Sequence, residues 1–235
     1  MATSISEADK QRAQNILEIL RNNLTIREHD FASLLVARET GDPFRVLVVT
    51  ILSQSCTDIA ALRAYRELDE RIGVTVHTIR NARVAEVQRT IRVAGLHHQK
   101  ARALRRLAEV VAKQYSGDLK PLLDAPVFEA RQKLQQLPKV GPKTADVLLS
   151  IWKRPTISVD THVNRVAKRL GFAPMKAGYE EVRTALLGLY RKEDYHSIPL
   201  VLMAHGRQVC KARKPLCPKC PVHKLCPYKK KTKRI

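Results

Sequence analysis

Four cysteines close to one end of the chain constrain its fold more than any other feature. Cys210, Cys217, Cys220 and Cys226 follow the spacing C-x6-C-x2-C-x5-C. Prolines and basic residues fill the intervals: Arg213, Lys214, Pro215, Pro218, Lys219, Pro221 and Lys224. Such a segment has too little apolar material to order itself, so a metal centre is expected to organise it. Four thiolates suit either tetrahedral zinc or an iron–sulfur cube. Zinc sites commonly pair two close C-x-x-C hairpins, and here only Cys217 and Cys220 are close. That spacing favours the larger cluster. The fifth cysteine, Cys56, lies far away among apolar residues and reads as a core residue rather than a nucleophile.

Charge narrows the class of partner. Lys and Arg number 43 against 22 Asp and Glu, a formal net charge of +21 over 235 residues. Self-repulsion on this scale is relieved by a polyanion, and nucleic acid is the leading candidate. Met1 to Arg12 is polar and charged, without a secretory apolar core, and no long apolar run follows. The sequence therefore reads as cytoplasmic, without a targeting signal and without a membrane partner. In that compartment cysteines bind metal or act in catalysis more often than they pair as disulfides.

The periodicity is helical. Nine glycines and few alternating stretches point to an all-α fold. Ser6 to about Asn23 places Ala13, Ile16, Leu17 and Leu20 on one face. Asp42-Pro43 resembles an N-cap followed by a first-turn proline. The run Phe44 to Leu52 is almost wholly apolar, and period alone leaves it a buried strand or a buried helix. Helices are expected over Asp58–Glu70, Gln99–Tyr115, about 126–136, Gly141–Trp152, Thr161–Leu170, Tyr179–Tyr190 and Ser197–Gln208. Residues 229–235 form a basic tail, expected to be solvated and without fixed structure.

Two short segments carry candidate chemistry. Leu137-Pro138-Lys139-Val140-Gly141-Pro142-Lys143-Thr144-Ala145 joins two helices and looks like a helix-hairpin-helix motif. A tight turn of this kind leaves backbone N–H groups pointing outward at a helix N-terminus. Those groups suit a DNA phosphate, bound without sequence preference. Lys143 falls in the first helical turn, at the positive end of the helix dipole, a place that favours the free amine over the ammonium. A nucleophilic amine and a phosphate-binding lysine are both compatible with that position. Seventeen residues on, Asp160 in Val159-Asp160-Thr161-His162-Val163 precedes a helix and on spacing alone reads as its N-cap. A carboxylate near an amine nucleophile would also stabilise positive charge developing on a sugar.

Taken in order, LPKVGPKTA, VDTHVNRVAKRLG and HGRQVC with the four cysteines resemble the endonuclease III family of helix-hairpin-helix DNA glycosylases. The resemblance runs from about Leu52 to Tyr228. It implies a two-lobed all-α fold, with a six-helix barrel at 37–154 and an iron–sulfur lobe from 1–36 and 155–235. It implies Lys143 as nucleophile, Asp160 as the essential carboxylate, and a [4Fe–4S] cluster on Cys210, Cys217, Cys220 and Cys226. The expected activity is base excision repair of damaged double-stranded DNA by a bifunctional glycosylase and AP lyase. Oxidised pyrimidines are the expected lesions. The expected enzyme is a monomer associated with the nucleoid. Two alternatives are a mismatch-specific glycosylase and a non-catalytic DNA-binding module.

DNA contacts implied by the resemblance are the hairpin residues Leu137, Lys139, Val140, Gly141 and Thr144, with His162 beside Asp160. The basic cluster loop adds Lys211, Arg213, Lys219 and Lys224. The family's apolar wedge segment corresponds to Gly95-Leu96-His97-His98-Gln99-Lys100-Ala101, making Leu96 the candidate wedge. Its glutamine plug corresponds to Ser55, with Gln54 adjacent. Where the family's hairpin usually has glycine after the proline, this chain has Lys139, which is strained if that position requires positive φ.

Overall fold

The computed structural model describes residues 5–27 and 30–232. Their regular structure is entirely helical, with thirteen α-helices among the described residues. The chain divides into two compact units, Arg27–Arg154 and Met1–Ile26 with Pro155–Ile235. Each has its own apolar core.

The central unit is built around a helix with no solvent face. Helix α2 (Ala32–Thr40) ends at Gly41, whose φ of 59° lets its N–H return to the Ala37 carbonyl. Helix α3 (Pro43–Ser53) starts at once: Asp42 Oδ1 accepts from the Phe44 N–H at 2.8 Å, and Pro43 occupies the first turn. Apart from Arg45, all residues from Pro43 to Leu52 are buried. The apolar run is thus a helix, and it lacks a polar stripe because its surroundings are protein on all sides. Arg45 reaches the Asp69 carboxylate at 2.8 Å and the Tyr65 hydroxyl on α4 (Asp58–Arg71).

Helices α5 (Val76–Asn81), α6 (Val84–Thr90) and α7 (His97–Tyr115) follow. Helix α7 turns Ala101, Leu104, Leu107, Ala108 and Val111 inward and starts two residues before the point its apolar period suggests. Helices α8 (Lys120–Asp124), α9 (Val127–Gln135) and α10 (Pro142–Ile151) complete the unit. The unit begins ahead of α2 rather than at residue 37, because Ala32 and Val36 are packed in its core.

The other unit joins both ends of the chain. Helix α1 (Glu7–Asn23) opens with a reciprocal capping box between Ser6 and Asp9 and buries Ala13, Ile16, Leu17 and Leu20. It shares a core with α11 (Thr161–Arg169), α12 (Tyr179–Leu189) and α13 (Ile198–Gln208). Helices α11 and α13 pack so closely that a Cβ on Gly206 would lie 3.0 Å from the His162 Cβ. The C-terminal expectation needs correction. Lys231 Nζ donates to the His223 carbonyl at 3.0 Å and Thr232 Oγ1 to the Pro215 carbonyl at 2.5 Å, so the start of the basic tail is fastened to the cysteine segment. Lys233 and Arg234 lie outside the described residues.

Candidate active site and cysteine cluster

Helices α9 and α10 form the expected hairpin. The Val140 N–H donates to the Leu137 carbonyl at 3.1 Å, and the Leu137 N–H to Leu134, closing the turn. Lys139 lies at its tip with φ of 62°, the strained conformation anticipated from the sequence. Leu137 and Val140 point into the core with their amides engaged, so they shape the turn from inside. Lys139 and Gly141 are exposed, whereas Thr144 is buried. Gly141 is the N-cap of α10, and no side chain caps it. The first amides of α10 are thus left to an external acceptor. Lys143, second residue of α10, is exposed beside them.

The hairpin is clamped from behind. Arg131 on α9 meets Asp146 on α10 through Nε at 3.0 and 3.1 Å and Nη2 at 3.0 Å. Asp146 is fully buried one turn beyond Lys143. The tip is also tied to a second turn, since Gln54 Nε2 donates to the Lys139 carbonyl at 3.1 Å. Gln54 is half-buried and Ser55 is exposed with φ of 54°. Ser55 is therefore the residue of this pair that faces outward. Leu96 is no core leucine: it is 53% exposed, with φ of 47°, at the start of α7. Cys56 is half-buried and packs against the central core.

Asp160 belongs to the other unit. It is the N-cap of α11, with Oδ1 accepting the Val163 N–H at 2.7 Å. His162 stands two residues on, its Nδ1 3.0 Å from Arg165 Nη2. Burial lowers the His162 pKa, Arg165 and Arg207 lower it further, and Asp160 opposes them. Arg165 Nε donates to the Cys210 carbonyl and Nη2 to the Gly206 carbonyl, both at 3.0 Å. Sequence reasoning missed this brace, whose only signal is an arginine on the inner side of α11.

The four cysteines are brought together. All are free thiols lining one cavity, together with His205 and Arg169. Arg169 Nη1 donates to Cys210 Sγ at 3.4 Å and to the Lys211 carbonyl at 2.7 Å. His205 is 1% exposed, has its Nε2 3.8 Å from Cys220 Sγ, and leaves Nδ1 without a partner. Burial raises the Cys220 thiol pKa to about 11, and the other three thiols add to it. Among the described residues no three His, Cys, Asp or Glu side chains are arranged to hold a metal ion. Lys211, Arg213, Lys219 and Lys224 are all exposed around the lobe. None of the described helices is long and apolar enough to cross a membrane.

Comparison with known proteins agrees with this geometry. The HhH-GPD superfamily of base excision DNA repair proteins matches residues 48–192. Endonuclease III of Sulfolobus acidocaldarius is 35% identical over 211 residues, covering 89% of this chain and 92% of that protein. A non-covalent endonuclease III–DNA complex superimposes with a TM-score of 0.80 at 32% identity, covering 93% of this chain and 95% of that one. A trapped endonuclease III–DNA covalent intermediate gives a TM-score of 0.77 at 31% identity, covering 93% and 96%. With a matched segment that takes in α10, Lys143 and Asp160, the chain belongs to the HhH-GPD superfamily of base excision DNA repair proteins.

Proposed function

We propose that this protein is a bifunctional DNA glycosylase and AP lyase that removes damaged bases, oxidised pyrimidines foremost, from duplex DNA. The observation that carries the reading is Lys143: an exposed amine on the first turn of an uncapped helix, directly after a hairpin turn. The amides beside it suit a phosphate, which would set the sugar of a flipped nucleotide within reach of the amine. The similar chain trapped covalently on DNA supports covalent chemistry in this family.

In this reading Lys143 Nζ bonds to C1′ as the C1′–N bond to the base breaks. The base leaves with that electron pair and is then protonated. The amine gives up its protons, O4′ takes one as the C1′–O4′ bond breaks, and a Schiff base remains. Removal of a 2′ proton then expels the 3′ phosphate and cuts the strand. The Asp160 carboxylate stabilises positive charge on the sugar as the base departs. Its Oδ1 is held by the Val163 amide, which fixes the group without consuming its second oxygen. Lys139, Gly141 and Thr144 at the hairpin, Gln54, Ser55 and Leu96 on the neighbouring turns, and His162 shape the DNA contacts. Lys211, Arg213, Lys219 and Lys224 hold phosphates elsewhere on the duplex.

The donor set around the cysteine cavity fits a [4Fe–4S] cluster. Four thiols line one cavity, and their C-x6-C-x2-C-x5-C spacing, with only Cys217 and Cys220 close, favours an iron–sulfur cube over a single zinc ion. Cys210, Cys217, Cys220 and Cys226 would hold it. When bound, it supplies structure, tying together a proline-rich, basic segment whose buried apolar contribution is Val222.

Borohydride reduction in the presence of duplex DNA with an oxidised pyrimidine or an abasic site tests the reading. The wild-type protein is expected to give a covalent adduct on both, and Lys143→Ala on neither. A wild-type protein that cuts or binds such DNA without a trappable adduct would rule out the lysine mechanism.

A further inference from the structure

Five described residues of the central unit other than glycine lie in the left-handed region, and three of them, Ser55, Leu96 and Lys139, sit on turns that side chains link to one another; the other two are Ser116 and Lys153. Such residues are uncommon and persist where surrounding structure over-determines them. Here side chains tie the turns together. Gln54 joins the first to the hairpin tip through the Lys139 carbonyl. Lys100, on α7, joins the first to the second. Its Nζ donates to the Leu52 carbonyl at 2.7 Å and to the Ala94 carbonyl at 2.8 Å. Leu52 lies in the last turn of α3, where carbonyls lack helical partners, and Ala94 immediately precedes the Gly95-Leu96 turn.

Lys100 is only 3% exposed. Burying an ammonium is costly, and burial lowers the basicity of this one. An apolar residue of the same length would fill the space. What it could not do is donate to two carbonyls from separate turns at once, each of which would otherwise be left unpaired.

We propose that Lys100 is a positioning residue for lesion recognition: it sets the spacing between the Gln54–Ser55 turn and the Leu96 turn. The exposed leucine then enters the duplex in register with the hairpin. This rests on the reading of the chain as a lesion-binding enzyme. It makes α7 the holder of a rigid three-turn edge: one turn directly through Lys100, a second through its own start, and the hairpin through Gln54.

The test is a double-mutant cycle on Lys100→Met and Leu96→Ala. Affinity is measured for a duplex with a tetrahydrofuran abasic analogue and for the intact duplex. A 2-aminopurine beside the analogue reports unstacking. Lys100→Met should lose about tenfold or more of the preference for the analogue, as small misplacements of a site do, with intact-duplex affinity unchanged. The fluorescence rise should weaken with it. Added to Leu96→Ala, it should cost nothing further, because both changes disable one wedge. Retained preference in either single variant overturns the proposal, and so do losses that multiply in the double variant. If Lys100→Met does not fold, Lys100→Gln takes its place. Its amide keeps one donor group in the cavity, so a partial loss is expected and wild-type preference overturns the idea. A wild-type protein with no preference for the analogue would instead defeat the underlying functional reading.

Discussion

At the residue scale, Asp160 fills two positions at once. Its Oδ1 caps α11 through the Val163 amide, and its second oxygen is proposed to serve the sugar. The two roles separate by substitution. Asparagine caps a helix about as well as aspartate, whereas alanine loses the cap at about 1 kcal/mol. Asp160→Asn should therefore melt close to the wild-type protein yet release base far more slowly in single-turnover assays. Asp160→Ala should lose both stability and rate. If Asp160→Asn excises at the wild-type rate, the residue is a cap and no more. This ambiguity was already visible in the sequence, because an aspartate before a helix suits either role. The left-handed backbone at Ser55 and Leu96 was not visible. Neither residue favours it, so its cause lies in tertiary contacts such as those of Lys100.

At the scale of elements, the hairpin depends on the pair behind it. Arg131 and Asp146 hold α9 against α10, with Asp146 at zero exposure. Breaking a buried pair by removing one partner costs about 3–5 kcal/mol. Arg131→Ala and Asp146→Ala should each destabilise the protein by that order in denaturant unfolding. The double substitution should cost clearly less than their sum. Additive losses would mean the two side chains act independently. What the sequence revealed about elements follows their length. Long amphipathic helices such as α1 and α7 show their period over several turns. Helices α5, α6 and α8 bury one or two residues each, too few for a period to register. Helix α2 buries Ala32 and Val36 alone and carries no stronger signal. The apolar run of α3 could not be assigned by period because burial on every side erases it.

At the scale of the whole molecule, the cysteine segment belongs to one of two separate cores. It is attached there by the buried Val222 and by polar side chains. Arg12 on α1 donates to the Leu225 carbonyl at 3.2 Å, and Arg165 and Arg169 on α11 hold the backbone from Cys210 to Ala212. Gln208 reaches the Thr25 carbonyl near the end of α1 at 2.7 Å. The central core contains none of these residues. Loss of the proposed cluster should therefore disorder the protein in a graded way, since regions with few apolar contacts open first. In hydrogen exchange after oxidative removal of the cluster, protection should vanish first over Cys210–Thr232. It should weaken next in α11 and α13, which those arginines join to the segment, and persist in α3 and α10. Uniform loss across both units would mean that the cores unfold together. Unchanged protection at Cys210–Thr232 would mean that the segment holds its shape without a metal centre, despite its proline-rich, basic composition.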